Sequence, residues 1–221
     1  MHPLLLELKQ DFEQAADPSQ AAAMSTYMRE LFPFYGVMKP ERSALSKAVY
    51  KKLINAKIDP VAVAHWCWEQ PQREWQYVGM EFLEKGRKIV DGNDFLAHCE
   101  HWITHKSWWD TVDFLASHTV GDYLAEHPEL RDPWIADWRN SDNFWKVRTC
   151  LLFQLRYGVR TDQQLLFSLC AQHAHWDEFF IRKAIGWALR QYAYSNPNAV
   201  IEFVEETPLS NLSKREALKN L

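Results

Sequence analysis

Apolar residues recur along this chain at helical spacing, and no stretch alternates with a period of two. Leu5, Leu8, Phe12 and Ala15 make one stripe. Ala44, Val49, Leu53 and Ile54 make part of another, with Lys47, Lys51 and Lys52 on its polar positions. Pro33, Pro40, Pro60, Pro71, Gly92, Pro128, Pro133, Pro197 and Pro208 punctuate the stripes, since neither residue type sustains a helix interior well. The segments between them predict about a dozen helices and no strand.

The helices also look related to one another. Anchored on Trp75, Trp109, Trp145 and Phe180, four segments repeat with steps of 34, 36 and 35 residues. Each carries a bulky aromatic, then Val78, Val112, Arg148 or Lys183 three positions on, then an apolar run. A period near 35 with two helices per unit is the mark of an α-solenoid, whose second helices line a concave inner face. The spacing therefore predicts an all-α solenoid spanning residues 1–221 as one domain. An irregular helical bundle is the other arrangement it allows.

Composition narrows this further. Only 7 of 221 residues are Gly, too few turn-makers for a sandwich or barrel of short strands. There are 11 Trp, so several rings are expected in a core or against a ligand. Cys67, Cys99, Cys150 and Cys170 share no CxxC spacing and read as buried, reduced thiols. His98, Cys99, His101 and His105 could share a helix face, but no second ligand cluster accompanies them, so no metal and no cofactor is expected. No apolar run is long enough to span a bilayer, and Glu7 and Lys9 interrupt the Leu4–Leu6 triplet. A cytoplasmic monomer without membrane contact is the expectation.

The formal net charge is −4, yet the charge is unevenly spread. Lys39 to Lys57 holds Lys39, Arg42, Lys47, Lys51, Lys52 and Lys57 against Glu41 alone. Trp145 to Arg190 holds Lys146, Arg148, Arg156, Arg160, Arg182, Lys183 and Arg190 against Asp162, Asp177 and Glu178. Acids gather instead in Asp91–Glu100, Asp110–Asp142 and Glu202–Glu206. Two basic helical faces on an acidic protein suit a phosphate backbone lying across the repeats, or simply solvated surface.

The sharpest local pattern is Lys106-Ser107-Trp108-Trp109-Asp110-Thr111-Val112-Asp113. Ser107 is the expected N-cap of a helix with Asp110 in its first turn. Trp109 and Asp113 then fall at i, i+4 on one face, where carboxylate and indole both attract a cation. Arg148 and Trp187 occupy comparable places in later repeats. Each residue also has an ordinary reading: core Trp, helix-start Asp, surface Arg.

FPFYGVMKPER (Phe32 to Arg42), KSWWDTVD (Lys106 to Asp113), WKVR (Trp145 to Arg148) and RKAIGWALRQY (Arg182 to Tyr192) together resemble the bacterial AlkD family. Those are HEAT-like-repeat DNA glycosylases that excise alkylated purines. The likeness runs from about Met24 onward in order and spacing. It implies that Asp113, Trp109 and Trp187 line a cleft against the lesion's deoxyribose. It also implies that Arg148 holds a DNA phosphate, with Tyr27 nearby. Lys183, Lys47 and Lys51 lie on the two basic faces. One position departs: Met38 stands where family members often carry glutamine, and a thioether cannot donate an amide's hydrogen bonds.

The implied activity is release of cationic N3- and N7-alkylated purines from double-stranded DNA, without extruding the base. Two other classes stay open on the residues alone: a catalytically silent reader of DNA shape or branched DNA, and a protein-binding solenoid. Asp113 has no purpose facing phosphates in the first, and outward-facing basic segments would favour the second.

Overall fold

The structure, a computed structural model, describes residues 2–90 and 94–221. Gly92, read as a breaker, and Asp91, heading an acidic run, lie outside the described residues. The fold is all-α, built of helical repeats, with no strand among the described residues. Two compact units divide the chain, residues 1–98 and 99–221.

The first unit holds α1 (Pro3–Gln14), α2 (Pro18–Tyr27), α3 (Lys39–Asn55), α4 (Pro60–Glu69) and α5 (Arg73–Gly86). Proline opens several of these rather than ending them. Pro3, Pro18, Pro40 and Pro60 sit in first turns, where the missing N–H has no helical partner to lose. Asp17 and Asp59 cap α2 and α4 by accepting backbone N–H bonds. Leu5, Leu8 and Phe12 of α1 pack with Val49 and Leu53 of α3 and with Trp75 and Phe82 of α5, all buried. The predicted α3 stripe differs at one position: Ala44 is exposed.

Helix α6 (Phe95–Thr104) crosses the boundary. The second unit continues with α7 (Trp109–Phe114), a π-helical turn (Leu115–Val120), α8 (Gly121–Glu126), α9 (Pro128–Trp138), α10 (Phe144–Leu152), α11 (Gln163–Gln172), α12 (Phe179–Ala193), α13 (Pro197–Glu206) and α14 (Asn211–Ala217). Pro133, expected to break the chain, lies inside α9. Both Pro133 and Glu129, whose carbonyl loses its donor, are exposed, so water can take that acceptor. The four aromatic anchors fall alike: Trp75, Trp109, Trp145 and Phe180 all sit in the first turn of α5, α7, α10 and α12. Helices α7, α10 and α12 are therefore successive second helices, and α10 packs on both of the others.

All four cysteines are buried and free. Their thiol pKa values are pushed above the usual range by burial. No described helix is long and apolar enough to cross a membrane.

Candidate active site

Three second helices and the last helix of the second unit build one cavity of about 360 Å³. From α7 come Trp109 and Asp113, from α10 Arg148, from α12 Phe179, Phe180, Lys183, Trp187 and Arg190, and from α14 Glu216. A second, wider cleft of about 610 Å³ shares Asp113 and Trp187 and adds Ser117, His118, Arg156 and Gln191. Asp113 and Trp187 thus form the wall common to both.

Local sequence explains why Asp113 reaches that wall. After α6, Lys106 takes a left-handed backbone (φ 53°) that turns the chain. Ser107, expected as the α7 cap, instead donates its hydroxyl to the Ile103 carbonyl at 2.6 Å, closing the end of α6. Trp108 is the N-cap residue and makes no side-chain cap bond. Starting α7 at Trp109 puts Trp109 and Asp113 one turn apart on the same face, in agreement with their spacing. The π-turn begins two residues later, and Ser117 in it donates to the Asp113 carbonyl at 2.8 Å. Such turns shift the helical face by one extra residue and are frequent at functional sites.

Asp113 and Arg148 form a bidentate pair, Nε to Oδ1 at 2.7 Å and Nη2 to Oδ2 at 2.8 Å. Arg148 Nη1 also donates to the Phe180 carbonyl, and its guanidinium lies 5.7 Å from the Phe180 ring centroid. Only 5% of the Arg148 side chain and 15% of that of Asp113 are accessible. Burial raises the Asp113 carboxyl above its ordinary range; the Arg148 bonds pull it back, and Asp110 adds to the rise. Each carboxylate oxygen still has acceptor capacity for one more donor from the cavity side.

On α12, Lys183, Trp187 and Arg190 follow at i, i+4 and i+7. Lys183 Nζ lies 3.1 Å from Glu216 Oε1, and Arg190 Nη1 lies 2.8 Å from Oε2. No group of three or more His, Cys, Asp or Glu among the described residues is arranged to hold a metal ion. His98 instead pairs with His65 at 2.9 Å, and His101 stacks on His105.

A family model described as DNA alkylation repair enzyme matches residues 8–221. The chain belongs to that family. A solved structure, described as a predicted DNA alkylation repair enzyme from Enterococcus faecalis, is similar with a TM-score of 0.86 and 34% identity. The match covers 93% of this chain and 96% of that one. No curated protein matches the chain significantly. Membership gives the chain a role in DNA repair, and the resemblance read from its motifs holds along most of its length.

Within this alkylation repair enzyme, five residues singled out from sequence share one cavity: Trp109, Asp113, Arg148, Lys183 and Trp187. The other four lie in the first unit. Tyr27 ends α2 and is 71% exposed; Met38 is the α3 N-cap residue, 49% exposed and without a side-chain cap bond. Lys47 and Lys51 project from α3 one turn apart, both exposed and without an ion pair among the described residues. Sequence reasoning missed Glu216 and the lining role of Phe179, Phe180 and Arg190. The aromatic repeat anchor pointed to Phe180, but nothing in the pattern marked Glu216.

Proposed function

We propose that this enzyme is a DNA glycosylase that releases cationic N3- and N7-alkylated purines from duplex DNA. A purine alkylated at either position already carries positive charge, so it departs neutral and needs no general acid. The second carboxylate of an ordinary glycosidase is therefore dispensable. What needs help is the sugar, which becomes an oxocarbenium ion as the C1′–N bond breaks. The observation supporting this reading most strongly is one largely enclosed carboxylate, Asp113, fixed by Arg148 and sharing a cavity with Trp109 and Trp187.

Fixed charge aimed at a developing cation stabilises the transition state without reorganisation. Indole faces add about 0.5–2 kcal/mol each by cation–π attraction. Asp113 also retains lone pairs with which to orient the water that attacks C1′. Because every element acts on the sugar, the base can stay stacked, and adduct size should affect the rate little. Arg148 holds Asp113 by one edge and leaves one N–H on each terminal nitrogen for a DNA phosphate.

The test is base release from duplex DNA containing N7-methylguanine. The wild type is expected to release the base, and Asp113→Asn to bind the same duplex with at least a hundredfold slower release. Full activity in Asp113→Asn removes Asp113 from the chemistry. Binding without release by the wild type assigns the chain to silent DNA-shape readers, a reading that the exposed thioether of Met38 supports.

A further inference from the structure

We propose that Glu216 is a positioning residue of this site. It fixes Lys183 and Arg190 on the Trp187 face of α12, so that the two cations hold a phosphodiester of the damaged strand beside the sugar facing Asp113. This rests on the glycosylase reading above.

The contact begins with backbone packing. Helix α14 lies so close to α12 that a Cβ on Gly186 would stand 2.5 Å from the Glu216 Cβ and 2.8 Å from the Ser213 carbonyl oxygen. From that approach the Glu216 carboxylate spans Trp187, one oxygen reaching Lys183 a turn before it and the other Arg190 a turn after it. Arg190 Nη1 donates to the Glu216 main-chain carbonyl as well, at 3.0 Å. Its guanidinium is thus anchored at one terminal nitrogen, while Nε and Nη2 make no bond among the described residues. Lys183 uses one of its three ammonium donors on Glu216, and its side chain is 37% accessible.

Charge in the cavity favours an anion. Arg148, Lys183 and Arg190 face Asp113 and Glu216, leaving one net positive charge. Glu216 stays ionised, because Arg190 and Lys183 hold its carboxyl below the ordinary range. Without it, two long flexible side chains lose their common anchor, and a phosphate has to order them itself.

Removing a negative charge from a DNA-binding cleft should, by charge alone, tighten binding. Positioning acts on the rate instead. Glu216→Gln is expected to bind the N7-methylguanine duplex no more weakly than wild type, yet release base about tenfold more slowly at saturating protein. Glu216→Asp keeps the charge but is too short to reach both cations, and should show the same loss. In a Lys183→Met/Arg190→Met background, Glu216→Gln should slow release no further, because Glu216 acts only through those two cations. Wild-type rates at saturation in both Glu216 variants, or losses that multiply with those of the Lys183→Met/Arg190→Met pair, overturn this inference alone. A wild type that releases no base overturns the glycosylase reading and this inference with it.

Discussion

Arg148 and Asp113 are better understood as one unit than as two functional groups. Two charges removed this far from water are tolerated because both oxygens of the carboxylate are bonded to the guanidinium. Arg148→Gln leaves Asp113 buried without its partner. At neutral pH that variant should lose about 3 kcal/mol of stability, the usual scale for breaking a buried pair. Burial already sets the folded pKa of Asp113 above its unfolded value, and removing Arg148 raises it further. The protonated form is then the cheaper one to bury. The stability deficit of Arg148→Gln should therefore shrink as pH falls and grow as pH rises through the raised pKa. Base release runs the other way, since it needs the carboxylate. Its acid limb should lie above the ordinary carboxylate range in wild type and move to higher pH in Arg148→Gln. Urea unfolding and single-turnover release from acid to neutral pH would measure both; an acid limb at the same pH in both proteins would separate Arg148 from Asp113.

Helix periodicity and the 35-residue step were legible because packing of second helices repeats the same first-turn aromatic. Breaks in that regularity were not. The cap of α7 escapes sequence reading because a serine hydroxyl can either accept from the first turn of the next helix or donate to a carbonyl of the last one. That of Ser107 donates, closing the preceding helix. The π-turn is invisible in the pattern because one extra residue per turn leaves the apolar positions nearly unchanged, although the repeat containing it is the longest of the three. Its packing is nevertheless exacting. Gly121 follows the π-turn, and a Cβ there would stand 2.2 Å from the Phe153 carbonyl oxygen, a backbone atom with no freedom to yield. Tyr157 donates to the Gly121 carbonyl at 2.7 Å and holds the approach. Gly121→Ala should cost about 1–3 kcal/mol by overpacking, despite alanine's better helix propensity. It should also slow base release, since the turn it displaces begins two residues after Asp113. A gain in melting temperature would show that α8 can move away from α10 freely.

Charge across the protein is where linear reading and folded arrangement diverge most. Trp145 to Arg190 reads as a basic face along the chain, yet the fold matches most of its cations. Lys146 pairs with Glu100, Arg148 with Asp113, Arg156 with Asp122, Arg182 with Asp177, and Lys183 and Arg190 share Glu216. Most of the acids that pair with them belong to other segments, because stacking repeats brings together residues about 35 apart that a running sum keeps separate. Lys39 to Lys57 behaves differently. Arg42 is buried and paired with Glu81, but Lys47 and Lys51 remain exposed cations. In an acidic protein, those lysines are the natural source of long-range attraction to DNA. Replacing both by Gln should weaken duplex binding and reduce the slope of log K against log salt by about 2, since each phosphate left without its lysine accounts for roughly 0.9. Base release at saturating protein should be unchanged, because neither lysine lines the Asp113 cavity. An unaltered slope would assign the phosphate contacts to Arg148, Lys183 and Arg190 of the second unit, which keep N–H donors to spare beside their carboxylate partners.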